Sequence, residues 1–277
     1  MKITSKYLLF VAVAAFFCAC SEAGSGERRV IEIEPIIASR VTALNFETGD
    51  EIGLHIERTT GIYTENERLI YNGSSFVSND LIWYDNDAET STLKAYYPYQ
   101  SGSFPTEFTL PTNQDTSSST ADLLGAVRNN VTPTSSAVPM QFYHLMARLV
   151  INVVNQSGKQ ISSVQIADMI PVAALDWSVP TASAKSGQSV ATVTAKPLTA
   201  GSCYEAILVP QSAALRVVIT TDDGKQFEKS VSAELLSGKS YTLAVTLLKE
   251  EIAVTLSGEI VDWGDGCLLY TSPSPRD

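Results

Sequence analysis

The stretch from Val138 to Val154, VPMQFYHLMARLVINVV, decides how the rest of the chain is read. With a period of two, Tyr143, Leu145, Ala147, Leu149, Ile151 and Val153 fall on one apolar face, while His144, Arg148 and Asn152 lie on the other among apolar residues. Phe142, Met146, Leu149 and Val153 also satisfy helical spacing. Pro139 upstream, the turn from Asn155 to Gly158 downstream and the β-branched run VINVV count against a helix. The spacing therefore predicts one long strand, more buried than a sheet edge. It is expected to end one domain and begin the next, with the boundary between Met140 and Asn155.

Working outward, both flanks read as all-β. Upstream, short apolar runs at Glu51 to Ile56, Arg68 to Tyr71, Leu81 to Tyr84, Leu93 to Tyr97 and Glu107 to Leu110 are separated by Gly, Asn, Asp, Ser and Pro clusters, with a tight turn at Asn72-Gly73. Asp85, Asp87 and Glu89 resemble the start of a calcium loop, but Thr90 stands where an EF-hand needs glycine, so a solvated turn is expected. Thr112 to Thr120 is expected to be a surface loop, followed by one helical turn at Asp122 to Ala126. Downstream, strands are predicted at Ser162 to Ile170, Gln188 to Val193, Tyr204 to Val209 and Tyr241 to Leu247. Leu215 to Thr221 and Lys225 to Val231 should form a hairpin about Asp223-Gly224, and Glu251 to Trp263 a last pair of strands.

Several pieces, in order, carry a resemblance: GDEIGL at Gly49 to Leu54, AYYPY at Ala95 to Tyr99, ADLLGA at Ala121 to Ala126, FYHLMARLVINV at Phe142 to Val153, AILVPQS at Ala206 to Ser212, LSGKSYTLAVTL at Leu236 to Leu247 and IVDW at Ile260 to Trp263. The set resembles the fimbrillin family, the shaft and tip subunits and related surface lipoproteins of Bacteroides-type bacteria. That resemblance implies two tandem β-sandwich (transthyretin-like) domains, here 41–145 and 146–266. It also implies a pilin of a cell-surface fimbria at the outer membrane, serving adhesion and partnered with other fimbrial subunits through β-strand addition.

The N-terminus fits such an export route. Lys2 and Lys6 precede an apolar run, Leu8 to Phe17, too short to span a bilayer, and Phe17-Cys18-Ala19-Cys20 resembles a lipobox. Residues 1–19 are then a lipoprotein signal peptide and Cys20 the lipid attachment site. The other reading is an ordinary secretory signal cut after Ala19. A Gly/Ser tether leads to Val30 to Ile37, VIEIEPII, where Ile31 and Ile33 alternate with acidic residues until Pro35, which should end the strand or confine it to an edge. In the family a trypsin-like protease cuts after a basic residue and removes the first strand. Arg40 is the candidate that would remove residues 20–40. Cleavage at Arg29 would leave the strand in place, and the two residues read equally well as exposed arginines flanking a permanent strand.

The chain carries 30 acidic against 19 basic residues, a net charge of −11, which argues against nucleic acid and against docking on anionic lipid by charge. No Walker loop, HExxH, GxSxG, CxxC or Rossmann fingerprint is present, so no catalytic residue, cofactor or metal is assigned and no enzyme is expected. His144, with His55 as the only other histidine, is expected to be a hydrogen-bonded structural residue. Cys203 is expected to be a buried thiol, with a Cys203 to Cys267 disulfide as the alternative. Residues 267–277, CLLYTSPSPRD, abandon the alternation and are expected to be a non-native tail. A second function class stays open: a non-polymerising outer-membrane lipoprotein, either a pilus anchor or a module binding glycan or host protein.

Overall fold

The computed structural model describes residues 29–37 and 46–262. Apart from a 3₁₀ turn at Ser119–Ala121, its regular structure is entirely β. The first strands are β1 (Val30–Ile37), β2 (Glu51–Arg58), β3 (Gly61–Tyr71), β4 (Phe76–Ile82) and β5 (Ser91–Tyr97). After the short β6 (Glu107–Thr109) come β7 (Leu124–Val131) and β8 (Val138–His144). All of these except β6 close into a seven-stranded barrel in the order β1-β4-β3-β2-β5-β7-β8. Alternate side chains fill it, among them Ile31, Ile33, Ile52, Leu54, Ile56, Phe76 and Phe142. The Asn72-Gly73 turn joins β3 to β4: the Asn72 carboxamide oxygen accepts the Ser74 and Ser75 amides, and Gly73 adopts φ +104°.

The second half continues with β9 (Ala147–Asn155), β10 (Ile161–Met169), β11 (Val172–Asp176), β12 (Thr181–Ala184), β13 (Ala191–Thr194), β14 (Lys196–Thr199) and β15 (Cys203–Leu208). It ends with β16 (Ser212–Thr221), β17 (Gln226–Glu234), β18 (Lys239–Leu247) and β19 (Ile252–Asp262). Three sheets result: β14-β15-β9-β18-β19, β13-β10-β16-β17 and β12-β11-β6. They enclose a second core that includes Leu149, Ile151, Ile166, Val217, Ile219, Leu243 and Val245. The hairpin about Asp223-Gly224 forms as β16 and β17, with Gly224 at φ +83°.

The deciding stretch is two strands, not one. In β8 the even-numbered Val138, Met140 and Phe142 fill the barrel and Tyr143 is 43% exposed; in β9 the odd-numbered Ala147, Leu149, Ile151 and Val153 fill the second core. Leu145 and Met146 belong to neither ladder. They are buried and pinned by the backbone and by the turn before β18: the Leu145 amide donates to Leu123 O (2.8 Å), Leu145 O accepts Ser237 Oγ (2.8 Å), and Met146 O accepts the Gly238 amide (3.0 Å). Burial thus changes parity where the chain changes core, a switch that a single alternation cannot express.

Other expectations are corrected likewise. The residues before Leu145 form a closed barrel where a sandwich was expected, because β1 bridges β4 and β8. Asp122 to Ala126 is not a helical turn: the 3₁₀ turn precedes it, and Leu124, Gly125 and Ala126 pair with Tyr97, Tyr96 and Ala95. The Thr112 to Thr120 loop is not wholly at the surface, since buried Gln114 exchanges hydrogen bonds with both backbone groups of Ile207 (2.9 Å each), standing in for a strand. Through β6, paired with β11, and through Phe108, Leu110 and Leu123, the chain on either side of this loop serves the second core. Glu251 to Trp263 yields one strand, β19, in place of two. Cys203 is disulfide-bonded and not a thiol; the other three cysteines, Cys18, Cys20 and Cys267, all lie outside the described residues.

Candidate functional site

The expected first strand exists and is built into the barrel on both sides. β1 runs antiparallel to β4 (Val30↔Ile82, Glu32↔Val77, Ile33↔Phe76) and parallel to β8, from Ile33↔Val138 to Ile37↔Phe142. Ile31 and Ile33 are fully buried, whereas Glu34 and Ile36 are exposed. Burying each isoleucine stabilises the closed state by about 1.5–3 kcal/mol. Pro35 does not end the strand but sits where one side of it is open, the edge position that a proline tolerates. It pairs with Met140, but β4 registers no partner beyond Ile33, so the N–H that proline lacks is not needed on that side. From Glu34 onward β1 is held by β8 alone.

At its other end β1 is fastened. The Arg29 carbonyl accepts the Trp83 amide (2.8 Å) and the Arg29 guanidinium meets Asp87 at 2.6 Å. The YDNDAE turn is therefore not simply solvated. Next to Asp87, Glu89 accepts the hydroxyls of Thr60 (2.7 Å) and Thr59 (3.2 Å) and pairs with Arg58 (3.5 Å). The Thr60 bond and the Arg58 charge hold its carboxyl below the usual range. The Arg58 guanidinium lies over the rings of Tyr63 and Tyr84, 5.2 and 4.9 Å from their centroids. Among the described residues no group of three or more His, Cys, Asp or Glu could hold a metal ion.

This geometry bears on the two candidate cleavage positions. Arg29 has both its carbonyl and its side chain engaged, so a trypsin-like protease cannot draw it into a cleft without unpicking the start of β1. Limited trypsin digestion of the folded protein, read by intact mass, should yield no fragment beginning at Val30 under conditions that release it from the denatured chain. Its appearance in the native digest would show the fastening to be ineffective. Arg40 and Cys20 lie outside the described residues.

The opposite end of the barrel is plugged by aromatic rings. Phe46 packs edge-on against Phe76 (4.8 Å), Tyr97 (5.3 Å) and Phe142 (5.5 Å). The Tyr97 hydroxyl donates to Asp50 (3.2 Å), and burial, then the Asp50 charge, pushes the phenol up to about 12. His144 lies buried 2.8 Å from the Asp122 carboxylate, and His55 Nδ1 is 3.0 Å from Glu65 O, so each histidine serves the packing of its own strand. Sequence reasoning missed Asp87, Trp83 and Phe46. Each acts on β1 or its surroundings from a distant part of the chain, and no local pattern marks that role.

Residues 39–263 match the model of a family described as fimbrillin-like. The chain belongs to the fimbrillin-like family. Its fold is similar to that of a candidate cell adhesion protein from Bacteroides ovatus ATCC 8483, at 22% identity and TM-score 0.69 over 86% of this chain and 99% of that one. A candidate cell adhesion protein from Bacteroides uniformis ATCC 8492 is similar at 20% identity and TM-score 0.67 over 84% and 99%. The C-terminally truncated tip fimbrial protein Mfa3 of Porphyromonas gingivalis is similar at 10% identity and TM-score 0.54 over 84% and 98%. No curated protein matches the sequence. At these identities the likeness of this fimbrillin-like chain to the solved structures is one of fold.

Proposed function

We propose that this chain is a structural subunit of a cell-surface fimbria that serves adhesion. It is exported as a lipoprotein acylated at Cys20 and assembled by β-strand addition after cleavage at Arg40 removes its first strand. The observation that carries the reading is β1 itself, which closes the barrel between β4 and β8 and buries Ile31 and Ile33. Loss of β1 leaves two unpaired strand edges beside an apolar groove. That state is costly, so a donor strand supplying backbone partners and alternating side chains is held tightly. The fimbrial and cell-adhesion descriptions of the similar structures support the same reading, and the two separate hydrophobic cores favour a tandem organisation of two β units.

The N-terminus of the protein recovered from the cell surface tests this directly. Mass spectrometry of the intact chain should find it beginning at Val41. An acylated Cys20 with Val30 to Ile37 still attached would contradict the polymerising reading and favour a permanently closed surface lipoprotein, the role to which the Arg29–Asp87 fastening and the two-sided pairing of β1 are equally suited.

A further inference from the structure

The outer wall of the barrel carries a cleft that strand exchange does not use. Between the pairs Val30↔Ile82 and Glu32↔Val77, β4 advances by five residues while β1 advances by two, so β4 bows out after Val77. On its other side β4 registers with β3 only beside their turn, at Ile70↔Val77 and Tyr71↔Phe76. Beyond that, side chains span the seam: Ser78 Oγ donates to Glu67 (2.8 Å) and the Tyr63 hydroxyl to Ile82 O (2.6 Å). The opening has a volume of about 630 Å³, and Glu67, Arg68, Tyr71, Ser78, Asp80 and Tyr99 contribute to its lining. That falls within the range of small-ligand sites, roughly 300–1,000 Å³.

The lining offers chemistry that the fold leaves unspent. Asp80 is exposed and makes no hydrogen bond or ion pair within the described residues, and the only hydrogen bond that Glu67 accepts through its carboxylate is from Ser78. Arg68 reaches Glu51 at 3.2 Å through one nitrogen, with more than half of its side chain exposed, so the rest of its planar fork is open. Carboxylates and a guanidinium are groups that take the paired hydroxyls of a sugar, and Tyr71 and Tyr99 contribute to the same lining although their rings also pack against the two cores. Charge selects among sugars. Two carboxylates share the lining with a guanidinium already partnered by Glu51, in a chain of net charge −11, a balance that disfavours sialylated or sulfated glycans.

We propose that the β3–β4 cleft binds a neutral oligosaccharide. The cleft lies between β3 and β4, whereas β1 fills the gap between β4 and β8, so a sugar and a donor strand would occupy different places. Saturation-transfer NMR on the full chain, with a panel of neutral di- and trisaccharides and with sialyllactose as the anionic probe, tests it. Transfer to at least one neutral sugar is expected, with affinity falling at least tenfold in Asp80→Ala. Melting should be unchanged in that variant, because the Asp80 side chain holds nothing among the described residues; Arg68→Ala, also exposed, should weaken the same sugar. The proposal is overturned if no neutral sugar binds at millimolar concentration, as a bulge that merely guards a strand edge would give. It is equally overturned if binding survives both substitutions or if sialyllactose binds more tightly than every neutral sugar.

Discussion

A chain that begins at Val41 is expected to melt well below the full-length protein and to associate with itself, and a synthetic peptide of residues 29–40 is expected to reverse both effects. The full chain buries Ile31 and Ile33 completely, against a core that includes Phe76, Val138, Met140 and Phe142. Deleting such side chains costs about 2–5 kcal/mol for each one truncated to alanine, and deleting the strand also removes its ladders to β4 and β8. The two edges then lie open beside apolar surface, the situation that drives strand capture between molecules. Buried Trp83, whose amide bonds to Arg29, offers a fluorescence signal for the peptide's return. Side-chain direction sets the controls. A peptide carrying Ile31→Asp and Ile33→Asp should fail, whereas Glu34→Lys, on the exposed side, should bind as well as the parent. A chain from Val41 that stays monomeric with unchanged melting would remove the physical basis for strand exchange.

How far this site could be read in advance depends on the range of each contact. Ile31 and Ile33 between acidic residues announce a half-buried strand, and the structure has one. Pro35 left two readings open, a strand end or an edge, because the choice depends on which neighbour is present at its own register, and β4 gives out at Ile33. The fastening at Arg29 was invisible, since Asp87 is 58 residues away in the sequence. The same limit explains the central stretch. Alternation from Tyr143 to Val153 is real in the letters, but Leu145 and Met146 are held by Leu123, Ser237 and Gly238, and those long-range bonds place the break. Gln114 illustrates a further case: a polar residue in a Ser/Thr-rich loop is buried because it satisfies the two backbone groups of Ile207. Turns were read well, as at Asn72-Gly73 and Asp223-Gly224, because there the determinant is the residue's own backbone freedom.

Gly53→Ala should be strongly destabilising, although it adds only one methyl group. Gly53 lies in β2 opposite Tyr96 of β5, so two of the fragments that carried the family resemblance, GDEIGL and AYYPY, meet at this pair. A Cβ on Gly53 would stand 2.2 Å from Tyr96 Cε1 and 2.4 Å from Asn66 Oδ1. The tyrosine cannot step aside easily. It is fully buried, its hydroxyl donates to Gln100 O (2.9 Å) and accepts the Gln100 amide (3.0 Å), and its ring meets Phe104 (5.3 Å) and Trp177 (6.4 Å). Tyr96 sits on a barrel strand yet belongs to the second core, so displacing it loosens the packing between the two. Overpacking of this kind costs typically about 1–3 kcal/mol and occasionally more. With each kcal/mol worth about 2–4 °C in a protein of this size, melting should fall by roughly 2–12 °C. The double variant Gly53→Ala with Tyr96→Leu separates the clash from any effect on β2 itself: it should melt higher than the sum of the two single changes predicts, because the leucine vacates the space that the new methyl group needs. Strict additivity would mean that Gly53 serves the strand and not the junction.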